Sequence, residues 1–121
     1  MEEERNAVKI LDENGVIVAV PQTSRILDEI NISQVGRALT EAIASTTYPK
    51  IVLDFEKVTN MSSSALGMLI TVHKRVREAN GEMRLCNICP NIEEVFAITR
   101  LDEIFIIDNS RSDSLVKITS H

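Results

Sequence analysis

The stretch Ile51-Val52-Leu53-Asp54-Phe55-Glu56-Lys57-Val58-Thr59-Asn60-Met61-Ser62-Ser63-Ser64-Ala65-Leu66-Gly67 changes its hydrophobic period part-way along. Ile51-Val52-Leu53 is an unbroken apolar run, the pattern of a parallel strand buried on both faces. From Ala65 onward the apolar residues recur at helical spacing, through Leu66, Leu69, Ile70, Val72 and Val76. Gly67, Thr71, Lys74, Arg75 and Glu78 then fall on the wet side of the same helix. Three serines stand directly before it. Their default reading is structural, because a serine hydroxyl at an N-cap accepts one of the unpaired first-turn N–H groups. On the helical wheel Ser62 lies over the inward arc and can cap, while Ser64 faces water. Ser63 falls at the border, close to Gly67 and Lys74, with its hydroxyl able to reach a partner protein.

Working outward, Val8 to Leu11 and Val16 to Val20 flank Asp12-Glu13-Asn14-Gly15, and Asn-Gly between apolar runs signals a hairpin. A helix follows, with Asn31 as cap and Gln34 closing a capping box. Ile32, Val35, Leu39, Ala42 and Ile43 share its apolar face. The helix after the serines runs to about Asn80-Gly81, where Gly81 supplies a left-handed stop. Met83 to Ile88 is the next strand, and Pro90 suits the first turn of a short helix through Ile92, Val95 and Phe96. Ile104 to Ile107 is a last strand and Ser110 to Ser120 a final helix. Strands alternating with helices after a hairpin imply an α/β fold, a single domain over residues 1–121 with a mixed sheet of about four to five strands and helices packed on it.

Composition narrows the function. The 121 residues are 44% hydrophobic and 26% charged, ordinary globular proportions that exclude a mainly disordered chain. A net charge of −5 and only four aromatic side chains (one Tyr, three Phe, no Trp) argue against nucleic-acid binding, which wants a positive field and stacking platforms. The acidic start Met1-Glu2-Glu3-Glu4-Arg5 has the wrong chemistry for a signal peptide, and no apolar run approaches the roughly 20 residues of a membrane span. A cytoplasmic, monomeric domain is expected. Two cysteines cannot build a disulfide framework.

Metal and hydrolase readings fail as well. His73 and His121 are the only histidines and have no second ligand at useful spacing. His73 lies roughly 15 Å along the helix from Ser63, out of hydrogen-bond reach, and is read as a core-edge histidine bonded locally. Neither a Gly-x-Ser-x-Gly elbow nor a glycine-rich phosphate loop occurs, so no catalytic residue, metal or cofactor is expected. Cys86-Asn87-Ile88-Cys89-Pro90 admits two readings. A helix N-terminus can lower a thiol's pKa, as a dithiol redox centre requires. Alternatively, Cys86 faces the core from a strand and Cys89 occupies a cap.

Taken together, the segment from Ile51 to Gly67 resembles the signature of the STAS-domain family, the bacterial anti-sigma factor antagonists. That signature is a buried strand ending in Asp, a short loop, then Asp-Ser-Ser-Gly-Leu-Gly opening a helix. The resemblance spans roughly residues 8 to 108. It takes in the helix end Ala79-Asn80-Gly81, the strand Met83-Arg84-Leu85, and Ile98-Thr99-Arg100-Leu101-Asp102-Glu103-Ile104-Phe105, similar to the family's Thr-Gly-Leu-Asp region. It implies a regulatory binding protein that frees a sigma factor by holding an anti-sigma factor. The implied partner is a serine kinase with a histidine-kinase-like ATP-binding fold, which phosphorylates the first serine of the Ser-Ser pair, here Ser63, and so releases itself. The scheme leaves room for a serine phosphatase as a second partner. Asp28, in Leu27-Asp28, is implied to lie near the phosphorylation site. The partner surface expected from wheel and resemblance together is Asp28, Ser62, Ser63, Ser64, Gly67 and Lys74. The chain departs from the pattern at Ser62 (usually Asp), and at Ala65, Arg25 and Arg100 (each usually Gly). A rival reading keeps the fold and drops the switch: a constitutive STAS adaptor or scaffold subunit, which the loss of the acid at Ser62 favours.

Overall fold

Asn14 and Gly15 adopt left-handed angles, φ 57° and 88°, and fold β1 (Val8–Glu13) back onto β2 (Val16–Pro21). The register sets Glu13 opposite Val16 and Val8 opposite Pro21, as the Asn-Gly signal anticipates. The Asp12 carboxylate accepts the Gly15 N–H at 2.9 Å and tightens the turn. The structure, a computed structural model, describes residues 7–119.

Beyond the hairpin the sheet turns parallel. β4 (Lys50–Asp54) lies between β2 and β6 (Glu82–Cys86), and β7 (Ile106–Asp108) closes the far edge. The order β1-β2-β4-β6-β7 is the expected mixed sheet, with five strands. Ile51, Val52 and Leu53 have no exposed surface, because alternate residues of β4 enter two different cores. Ile51 and Leu53 join the larger core, into which α1 (Glu29–Ala44), α2 (Ser63–Glu78) and α3 (Pro90–Ile98) send Leu39, Leu69 and Phe96. Burying each such side chain contributes about 1.5–3 kcal/mol relative to leaving it in water. Val52 enters the smaller core with Val16, Val18, Val20 and Cys86, under Ile118 of α4 (Arg111–Ile118).

A second strand pair escaped the sequence pattern. β3 (Arg25–Ile26) and β5 (Asn60–Met61) pair in parallel as two-residue strands, too short for any alternation to register. They carry the chain into α1 and α2 respectively, so both helix N-termini open on the same end of the domain.

Several boundaries move. Asp28, not Asn31, caps α1: its carboxylate accepts the Asn31 N–H at 2.8 Å and the Asn31 side-chain amide at 3.2 Å. Asn31 is a first-turn donor, and Ile32 and Ala42 are only half-buried. The left-handed residue after α2 is Asn80 (φ 60°), whose short side chain tolerates that conformation. Gly81 is needed for a different reason, since a Cβ there would meet the Pro49 carbonyl oxygen, which accepts the following Glu82 N–H. β6 stops at Cys86 because Asn87 turns left-handed (φ 57°), and the last strand begins only at Ile106 because Leu101–Glu103 wind into a 3₁₀ turn behind left-handed Arg100. Ile70 is 39% exposed instead of joining the apolar arc of α2. The final helix is shorter than expected: Ser110 is its cap, its hydroxyl accepting the Asp113 N–H, and the helix ends at Ile118 with Thr119 as C-cap; Ser120 and His121 lie outside the described residues.

Candidate functional site

The serine loop leaves β4 at Asp54 and returns to helix at Ser63. Thr59 and Asn60 donate their N–H groups to the Ser24 carbonyl, at 2.7 and 3.2 Å, and Ser62 donates to Ile26 at 3.1 Å. These bonds tie the loop to β3 and fix where α2 begins. Ser62, in extended conformation, turns its hydroxyl to accept the Ala65 N–H at 3.2 Å. One serine of the triplet therefore does the capping. Ser63 and Ser64 occupy the first helical turn, both exposed, and among the described residues neither hydroxyl has a hydrogen-bond partner.

The first turn of α2 contains no acidic residue, and Arg75 and Arg77 stand in its last turn. The positive end of this helix dipole is thus uncompensated by charge. Gly67, one turn on, is exposed, and beyond its own helix turn and chain neighbours no atom of the described residues lies within 4 Å of where a Cβ would point. A helix-interior glycine costs roughly 0.5–1 kcal/mol relative to Ala, and nothing among the described residues requires it. Asp28 opens the neighbouring helix at the same end, so the structure groups Asp28 with Ser62, Ser63, Ser64 and Gly67 on one end of the domain. Lys74 is not part of the group. It shares the exposed face of α2, but sits roughly 16 Å along the axis from Ser63, three turns away. Beside the serines, between β5 and α3, runs a cleft of about 190 Å³ with Met61, Leu66, Ile92 and Val95 in its lining.

The cysteines fit the structural reading. Cys86 is buried in the smaller core, and burial, reinforced by the Asp54 carboxylate, pushes its thiol up to about 12, the opposite of what a reactive thiolate needs. Cys89 occupies the N-cap position of α3, its thiol 3.7 Å from the Thr59 carbonyl. His73 lies half-buried with its ring edge-on to Phe105 at 5.2 Å. The local bond expected for it is missing at Nδ1, which has no partner among the described residues; burial, then nearby Arg77, lowers its pKa.

Two buried carboxylates went unnoticed as functional candidates in the sequence. Asp54 accepts from the Glu56 N–H (3.0 Å), the Asn87 amide (2.9 Å) and Arg111 Nε (2.8 Å). Asp108 accepts from Arg84, Ser114 and Lys117. Burial alone would raise the Asp108 pKa, but these three donors outweigh it and hold the carboxyl at about 2. An acid closing an apolar strand was the only available signal, and the partners lie far off in sequence.

The family model described as the STAS domain matches residues 9–114. The chain belongs to the STAS domain family. Among relatives of this STAS domain, a Bordetella bronchiseptica protein named as an anti-sigma factor antagonist, BtrV, is 37% identical over 98 residues, covering 81% of this chain and 82% of the relative. An anti-sigma-factor antagonist (STAS) domain protein from Planctomyces limnophilus superposes with a TM-score of 0.83 at 23% identity, over 93% of this chain and 97% of that one. The Bacillus cell fate determinant SpoIIAA, in its phosphorylated form, superposes with a TM-score of 0.69 at 17% identity, over 93% and 99%. No helix among the described residues of this STAS domain is long and apolar enough to cross a membrane.

Proposed function

We propose that this STAS protein is an anti-sigma factor antagonist that works by partner switching in the cytoplasm, as a monomer that lends its binding surface without catalysing a reaction. Its partner on this reading is an anti-sigma factor that is also a serine kinase with a histidine-kinase-like ATP-binding fold, and a serine phosphatase resets the system. The observation that carries the reading is the division of labour in the triplet. Ser62 caps the helix, which leaves Ser63 exposed at the start of α2 with its hydroxyl uncommitted. The name of the Bordetella relative supports the coarser part of the reading, an anti-sigma factor antagonist.

Phosphorylation of Ser63 adds about −1.5 to −2 charges. At a helix N-terminus with no acid in its first turn, that charge is favourable by roughly 0.3–1 kcal/mol within the domain. The fold tolerates the phosphate, so the switch lies in the interface. A partner surface shaped for a small neutral hydroxyl meets a dianion, and a tenfold loss of affinity needs only about 1.4 kcal/mol. Gly67 fits such an interface, because a missing side chain lets a partner backbone come close. Asp28 contributes by fixing the start of α1 beside the serines; its carboxylate is occupied by Asn31. Lys74 serves only a partner broad enough to span the exposed face of α2.

The neutral Ser62 cap favours one rival, a constitutive STAS adaptor without a switch. An affinity capture from native cell extract with wild type and Ser63→Asp, read by mass spectrometry, separates the two. Partner switching predicts that an ATP-binding kinase-like protein is recovered by wild type and lost by the variant. Equal recovery by both refutes the switch and leaves the adaptor.

A further inference from the structure

The Asp54 carboxylate is completely buried, yet it belongs to three segments at once. One oxygen accepts the N–H of Glu56, at the start of the serine loop, and the side-chain amide of Asn87, in the turn that leads to α3. The other accepts Nε of Arg111, the first residue of α4, at 2.8 Å. The guanidinium of Arg111 also lies 4.0 Å from the Glu56 carboxylate, so the C-terminal helix touches both the end of β4 and the start of the serine loop. The loop and the turn after β6 are further joined by the Phe55 N–H donating to the Cys86 carbonyl at 3.0 Å. α4 sits on the opposite face of the sheet from α2, and the rest of its hold is mixed. Ile118 and Leu115 cover the valines of the small core, while Ser114 and Lys117 donate to Asp108.

We infer that Arg111 and Asp54 are positioning residues for the serine loop, so that docking of the C-terminal helix on one face of the sheet sets how Ser63 is presented at the other. The role in partner recognition rests on the function proposed above; the positioning itself does not. A carboxylate this buried keeps one orientation only while its charge is matched, and Arg111 is the sole cation among its bonded partners. With Arg111 gone, Asp54 must turn toward water or draw water in. Either response loosens the Glu56 amide and the loop behind it. Displacement of α4 then acts on the serine loop without touching it.

Amide hydrogen exchange on the full chain tests this directly. Arg111→Ala should speed exchange at Glu56 and Val58 roughly tenfold, the mark of a local opening, while the amides of β2 and β4 stay protected. Lys117→Ala removes a contact of the same helix without touching Asp54, and should leave the loop as in wild type. Should Arg111→Ala fail to fold, Arg111→Gln, which removes the charge but keeps a long polar side chain, carries the same comparison. Unchanged loop exchange in the arginine variant, or equal acceleration in both helix variants, overturns the inference. The kinase-like protein captured by wild type provides the second readout: its affinity should fall with Arg111→Ala and hold with Lys117→Ala. Faster loop exchange with unaltered affinity would overturn the role in recognition. Failure of wild type to capture any such protein would refute the proposed function alone, since the exchange result still decides the positioning.

Discussion

α1 and α2 are near-copies in construction, and their first residues differ in one respect that matters. Each follows a two-residue strand of the β3–β5 pair, each spans 16 residues, and each starts from an extended cap whose side chain accepts an N–H three residues on. Their caps differ in charge. α1 has the Asp28 carboxylate, with Glu29 behind it, so its dipole is answered twice. α2 has the neutral Ser62 hydroxyl and no acid in its first turn. Of two equivalent helix ends, only that of α2 leaves room for a negative charge to arrive. A phosphate on α1 would add to charge already there; on Ser63 it supplies what the helix lacks.

The strongest way to break this contrast is Ser63→Asp. Partner affinity measured by calorimetry should fall at least tenfold, about 1.4 kcal/mol or more, while the thermal midpoint holds or rises slightly. A large loss of stability would instead make Ser63 a structural residue. Next come the caps themselves. Ser62→Ala and Asp28→Ala should each cost about 1 kcal/mol, seen as a fall of roughly 4 °C in thermal midpoint. If Ser62→Ala is silent, another serine does the capping and the division of labour fails.

Gly67→Ala should stabilise the isolated domain by roughly 0.5–1 kcal/mol in denaturant unfolding, because the new methyl meets nothing. It should weaken partner capture at the same time. Stabilisation without that loss would remove Gly67 from the interface. The smallest effect sharpens the comparison most. Exchanging the cap chemistries should give shifts of opposite sign, about 0.3–1 kcal/mol gained for Ser62→Asp and a similar amount lost for Asp28→Ser, both fading in high salt.

How far the sequence was legible varies with the length over which each signal repeats. β4 and α2 could be read because unbroken burial and a 3.6-residue period leave marks over many positions. β3 and β5 could not, since two residues carry no period. The start of α1 was misplaced by three residues because Asp28 and Asn31 are both good caps, and only the backbone angles choose between them. Ser62 was legible as the cap from its place on the wheel, and Ser63 as the border residue. Lys74 looked like its neighbour because a wheel discards the axial distance.

The sequence by itself determined the layers: which runs become strand or helix, which faces turn inward, and which serine meets the first turn. Those are local choices, made by alternation, apolar arcs and a hydroxyl at the right offset. Only the tertiary structure decided that two short strands set both helix N-termini side by side, that Cys86 lies too deep to ionise readily, and that Arg111 reaches Asp54 from across the sheet. Each of these depends on residues far apart in the chain, brought together by burial that no local pattern encodes.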